Sequence, residues 1–149
     1  MIRIRWETDY GLILLGYLSQ DPRIRVRTAR EVADWAHLPL PIVSKILKTL
    51  AREGILASHR GVRGGYTLAH RPDQITLFEV IEALEGPIGI TECSSHPGVC
   101  DMETGCPVRI HWVKISQAFR ESLDKIPLSE MFASPSPAPL LHIQSGGPR

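Results

Sequence analysis

Residues 40–68, LPIVSKILKTLAREGILASHRGVRGGYTL, decide the fold. Pro41 suits the first position of a helix, where its missing N–H costs nothing. Val43, Ile46, Leu47 and Leu50 then recur at helical spacing and form one inward stripe, while Ser44, Lys45, Lys48 and Arg52 fall on the opposite face. Gly54 ends the helix. Two short β-prone stretches follow, Ile55 to Ser58 and Tyr66 to Leu68. Between them, His59-Arg60-Gly61-Val62-Arg63-Gly64-Gly65 is a glycine-rich basic turn that reads as a hairpin tip.

The flanking segments complete the pattern. Upstream, Thr28-Ala29-Arg30-Glu31 matches a capping box, with Ala29, Val32, Ala33 and Ala36 at helical spacing, and Leu38-Pro39-Leu40-Pro41 makes a short turn into the next helix. Further back, Thr8-Asp9-Tyr10-Gly11 leads into Leu12, Ile13, Leu14, Leu15, Tyr17 and Leu18, apolar almost all round and therefore expected to be a central buried helix. Downstream, Thr76-Leu77-Phe78-Glu79 is a second capping box, with Leu77, Val80, Ile81 and Leu84 as its stripe and Gly86 as its stop. The expected fold is mostly α with a small β-hairpin wing: a winged helix-turn-helix plus a long C-terminal dimerisation helix.

That order of elements points to double-stranded DNA. A helix fits the major groove, where outward polar residues reach base edges and phosphates. Ser44, Lys45 and Lys48 on that helix, Thr28 at the start of the preceding one, and Arg60 and Arg63 on the slim turn are the candidate DNA-binding residues. Each piece alone has a bland reading, since a lysine face is usually just solvated and Gly64-Gly65 alone is usually a turn. The fixed order gives them their meaning.

Charge divides the same way. Residues 1–70 carry 11 Lys/Arg against 6 Asp/Glu, a net +5, whereas residues 71–149 carry 6 against 10, a net −4. Hydrophobic residues make up 43%, enough for a real core. No apolar run approaches a membrane span, and Met1-Ile2-Arg3-Ile4-Arg5 lacks the hydrophobic region of a signal peptide. Three cysteines cannot all pair within one chain, so a reduced cytoplasmic setting is expected. No nucleophile–base pair or phosphate loop is visible; Arg63-Gly64-Gly65-Tyr66 lacks the strand–loop–helix context of a nucleotide site, and an enzyme is not expected.

Cys93, Cys100 and Cys106 all fall in a loop of little periodicity between Pro87 and Cys106. Three thiolates on one such loop can converge on a soft metal centre. The spacing is not a zinc pattern, and unrelated cysteines or a thiol sensor remain open alternatives. Pro107 is expected to start the next helix, which places Cys106 at a positive helix end that favours its thiolate. Val108, Trp112, Ile115, Phe119 and Leu123 then form a narrow apolar seam, suited to a partner helix or to packing within the chain.

Arg52-Glu53-Gly54-Ile55-Leu56, the run from Arg60 to Leu68 and the opening Thr8-Asp9-Tyr10-Gly11-Leu12 resemble the IscR- and NsrR-type winged-helix regulators of the Rrf-two family, most of all those of the SUF iron–sulfur assembly operon. The resemblance spans roughly residues 1–130. It implies a cytoplasmic, homodimeric repressor or activator that controls cluster-assembly genes and senses cluster status or oxidative and nitrosative stress. It also implies an iron–sulfur cluster, of two or four irons, held by Cys93, Cys100 and Cys106, although the first gap here is one residue longer than usual. IscR-type members use a His three residues past the last Cys, where this chain has Arg109. NsrR-type members use an aspartate early in the first helix, contributed by the partner subunit, and Asp9 matches it; its plain alternative is a carboxylate favoured by a helix N-terminus. His96 and His111 are nearby but fit the position less well.

The expected division is a DNA-binding domain over 1–86, a cysteine loop over 87–106, a dimerisation helix and following segment over 107–132, and a disordered tail over 133–149. A winged-helix regulator without a cluster, sensing thiol oxidation or a small molecule, is the alternative within this class. A cluster carrier with no role at DNA is the alternative outside it.

Overall fold

The computed structural model describes residues 3–20, 25–96 and 98–133. Pro97 and the expected disordered tail from Ser134 onward lie outside them. The elements run α1 (Trp6–Ser19), α2 (Ala29–Ala36), α3 (Leu40–Arg52), β1 (Leu56–His59), β2 (Gly65–Leu68), α4 (Leu77–Glu85), α5 (Glu92–Ser95), α6 (Arg109–Asp124) and α7 (Leu128–Phe132). Helices α1 to α4 and the β1–β2 hairpin form a winged helix-turn-helix, as the sequence indicates. Among the described residues no helix is long and apolar enough to cross a membrane.

The core is built by the stripes that the periodicity marks. Val43, Ile46, Leu47 and Leu50 of α3 are at most 2% exposed and meet Leu14 and Leu15 of α1, Val32 of α2 and Val80 of α4 in one cluster. Each such side chain contributes about 1.5–3 kcal/mol by leaving water. Both capping boxes form, Thr28 with Glu31 and Thr76 with Glu79. Helix α1 is central, but it is not buried all round: Ile13 is exposed.

Two departures concern the chain beyond Gly86. Helix α6 starts at Arg109, two residues after Pro107. The segment after α6 returns to the winged helix-turn-helix, a contact the sequence did not announce. Leu77 N–H donates to Ile126 O at 2.8 Å, Leu128 N–H donates to Ile75 O at 2.7 Å, and Leu128 is fully buried. Phe132 packs on Gly16, where any Cβ would stand 2.6 Å from the ring. A five-residue helix is too short to show periodicity, so its sequence carried no signal.

A carboxylate fastens the N-terminus of α1 to the end of α4. Glu85 accepts from Arg5 N at 2.8 Å, from Arg5 Nε at 2.7 Å and from the Oγ1 of fully buried Thr8. Burial pushes the Glu85 carboxyl up, but the hydrogen bonds from Thr8 and Arg5 and the Arg5 charge outweigh it and hold it below the ordinary value. A depressed folded-state value means that this contribution is complete above the ordinary carboxylate range and is lost as pH falls through the folded value. The urea midpoint of the native chain should therefore exceed that of Glu85→Gln at neutral pH, and the gap should close on acidification. A gap that stays constant down the acid limb would contradict this assignment.

Candidate nucleic-acid interface and cysteine loop

The wing is fixed at its base and open at its tip. Strands β1 and β2 pair antiparallel, from Leu56 opposite Leu68 to His59 opposite Gly65. A second pairing locks the hairpin to the segment before α2: Arg27 N–H donates to Tyr66 O at 3.0 Å, and Tyr66 N–H donates to Arg27 O at 2.8 Å. A Cβ on Gly65 would collide with the Arg27 carbonyl, so only glycine permits this approach. The Arg27 guanidinium lies 5.2 Å from the centre of the Tyr17 ring, and Tyr17 stacks on Trp35 of α2 at 4.4 Å. Wing, α1 and α2 are thus joined through Arg27. At the tip Arg60, Val62 and Arg63 are exposed, and among the described residues neither arginine has an ion-pair partner.

On α2 and α3 the candidate residues divide. Thr28 is exposed; its hydroxyl accepts from Glu31 N–H at 3.1 Å, while its own N–H donates to the Glu31 carboxylate at 2.7 Å. That backbone hydrogen bond, ahead of the hydroxyl and the charges of Arg25 and Arg27, holds the Glu31 carboxyl below the ordinary value. Lys45 and Lys48 are exposed and Ser44 is half-buried. Lys48 is uncommitted among the described residues, whereas Lys45 Nζ donates to Glu7 Oε1 of α1 at 3.2 Å. Glu7 is not among the residues expected from sequence, because nothing in the spacing of positions 7 and 45 announces the pair.

The cysteine loop is anchored at two places. Near its start, Ile90 N–H donates to Ser116 Oγ at 3.1 Å, Ser116 Oγ donates to Ser94 Oγ at 2.9 Å, and Arg120 Nε donates to Ile88 O at 2.8 Å. Ser116 is the buried residue of α6, so α5 and the turn before it are seated on that helix. Further on, Glu103 accepts from Gly98 N–H and from Arg109 Nη2, both at 2.5 Å. Arg109, at the start of α6, also keeps its Nε buried without a partner among the described residues. This clamp was not legible, since in sequence Arg109 stands out only as a side chain unable to ligate.

Cys93, Cys100 and Cys106 are free and half-buried. Cys93 lies in α5 with its Sγ 3.3 Å from Thr91 Oγ1, and Cys100 lines an open cavity of about 590 Å³ with Asp101, Glu103 and Arg109. Asp9 is exposed in the first turns of α1. Among the described residues no group of three or more His, Cys, Asp or Glu is gathered to hold a metal. The donor set suits a soft metal centre, but the geometry does not assemble it. Cys93 is fixed on α6 through α5, whereas Cys100 belongs to the part of the loop held by Glu103 and Arg109.

Helix α6 turns its apolar residues outward. Val108, Ile110, Trp112, Val113 and Ile115 are all exposed, while Phe119 and Leu123 are half-buried. The expected seam is therefore open at its N-terminal end and partly covered at its C-terminal end.

Known proteins share this architecture. CymR, the global cysteine regulator of B. subtilis, superposes with a TM-score of 0.67 at 27% identity, over 89% of this chain and 97% of its own. IscR of T. potens superposes with a TM-score of 0.63 at 24% identity, over 87% of this chain and 85% of its own. In sequence, a candidate HTH-type transcriptional regulator of Aquifex aeolicus is 30% identical over 75% of this chain and 78% of its own length. A candidate regulator of Rhodobacter capsulatus, named as rrf2-like, is 29% identical over 91% of this chain and 95% of its own length. The family model for Rrf2, an iron-dependent transcriptional regulator, matches residues 4–134. This chain belongs to the Rrf2 family of transcriptional regulators.

Proposed function

We propose that the chain binds an operator as a homodimer, with an affinity set by the state of Cys93, Cys100 and Cys106. One observation carries the reading: three free thiols sit in a loop seated on α6, the helix whose apolar face is open. A second copy packed on that face would place two α3 helices and two wings against half-sites about one DNA turn, roughly 34 Å, apart. Ser44, Lys45 and Lys48 then face the major groove, Thr28 meets the backbone, and Arg60 and Arg63 follow phosphates or enter the minor groove. Because the loop rests on α6, rearranging it biases the dimer between DNA-competent and incompetent forms.

In the first form of this reading the thiols hold an iron–sulfur cluster, which supplies sensitivity to iron, oxygen and nitric oxide when bound. Cys93, Cys100 and Cys106 provide three ligands, and Asp9 of the partner subunit provides the fourth. Its exposure on α1 leaves it accessible for that role. In the second form the thiols themselves are oxidised. The similarity to CymR, a global cysteine regulator, favours that form.

A visible spectrum of protein purified without oxygen, with iron and sulfide assays on the same sample, separates the two. Cluster binding gives brown protein whose bands are lost in Cys100→Ser. Colourless protein after attempted cluster reconstitution, with a disulfide formed on mild oxidation, establishes the thiol sensor instead. The DNA arm is tested by salt. Removing a side chain that neutralises one phosphate should reduce the slope of log K against log salt by about 0.9, so Arg60→Gln and Arg63→Gln should each flatten it by that amount per engaged wing. An unchanged slope in both variants would remove the wing from the interface.

A further inference from the structure

We infer that Glu7 competes with DNA phosphates for Lys45 and so restrains binding to non-cognate DNA. The inference rests on the DNA-binding reading above and adds a residue that sets its selectivity. Lys45 stands on the outward face of α3, yet its ammonium is committed within the chain, 3.2 Å from Glu7 Oε1. The two partners are unequally placed: the Glu7 side chain is 18% exposed and the Lys45 side chain 72%. The carboxylate is the shielded, positioned member, and the ammonium reaches across to it.

Glu7 is also placed where a helix end suits an acidic side chain, in the first turn of α1. Its other oxygen is 4.0 Å from Arg5 Nε, but Arg5 is bound more closely to Glu85, at 2.7 Å. Lys45 is therefore the nearer cation to Glu7. As a fold-stabilising contact an ion pair this exposed is worth little. Its consequence lies at the DNA face instead. A lysine already neutralised by a fixed carboxylate gains less from a phosphate, and releases less counterion, than one such as Lys48, which has no partner among the described residues. The surrounding contacts of a cognate site can draw Lys45 away from Glu7; a random site, bound through phosphates alone, gains less by doing so.

The test is a double-mutant cycle on the full chain: wild type, Glu7→Gln, Lys45→Gln and the double variant, titrated against a short mixed-sequence duplex over a range of salt. Glu7→Gln should bind this duplex more tightly, with a log–log salt slope steeper by about 0.9 for each Lys45 engaged. Its advantage should then widen about three- to fourfold per Lys45 between 200 and 50 mM salt. Lys45→Gln should cost little in the wild-type background and should cancel the gain in the Glu7→Gln background. Equal losses from Lys45→Gln in both backgrounds, or no gain from Glu7→Gln, would overturn the inference while leaving DNA binding intact. If none of the four proteins binds the duplex in a salt-dependent way, the DNA-binding reading itself fails and this inference with it. Should Glu7→Gln lower the melting temperature, Glu7→Asp should shift binding in the same direction by a smaller amount. It withdraws the carboxylate by one methylene but keeps a charge at the start of α1.

Discussion

Two backbone hydrogen bonds between Arg27 and Tyr66 hold the DNA-binding geometry together. A two-stranded hairpin of four-residue strands is marginal alone, and its orientation would be free. The pairing with Arg27 gives it a third neighbour, and it exists because Gly65 offers no side chain to the approaching carbonyl. Arg27 is followed directly by Thr28, the cap of α2, so the same contact sets the wing relative to the helix-turn-helix. The stacked pair of Tyr17 and Trp35, with the Arg27 guanidinium over Tyr17, ties this junction to the central helix. The wing tip beyond this base is exposed, and among the described residues its arginines have no ion-pair partner.

The second half of the chain is built on another principle. Its cysteine loop is held by polar contacts: Ser116 with Ile90 and Ser94 near the start, Glu103 with Gly98 and Arg109 further on. Hydrogen bonds and a partly exposed ion pair exchange with water at small net cost, whereas a packed core does not. The loop is therefore held by contacts that rearrange more readily than the packed core does. Helix α6 receives both anchors, and it presents Ile110, Trp112, Val113 and Ile115 outward. In the proposed reading, a change at the thiols reaches the surface on which a second copy packs.

Much of this was legible in the sequence. The α3 stripe, both capping boxes and the hairpin follow from periodicity and turn chemistry, which act over a few residues and leave a local trace. Residues brought together from distant positions left none. The pairings of Glu7 with Lys45, of Thr8 and Arg5 with Glu85, and of Leu128 with Ile75 join segments 38 to 80 residues apart or pack a helix too short to show a period. For the cysteine loop, composition identified the three thiols but not their placement. The polar anchors that decide it involve serines, a glutamate and an arginine that look like ordinary surface residues.

The most direct measurement is the affinity of one full-length preparation for its selected operator, at a single salt concentration, in three states of the cysteine loop: reduced and metal-free, reconstituted with iron and sulfide, and oxidised. The expected result is a change of about tenfold or more, 1.4 kcal/mol, between at least two of these states. The same protein with Cys93, Cys100 and Cys106 all replaced by serine should show one affinity throughout. Equal affinities in all three states of the native chain would contradict control by the thiols and leave a DNA-binding protein whose signal enters elsewhere.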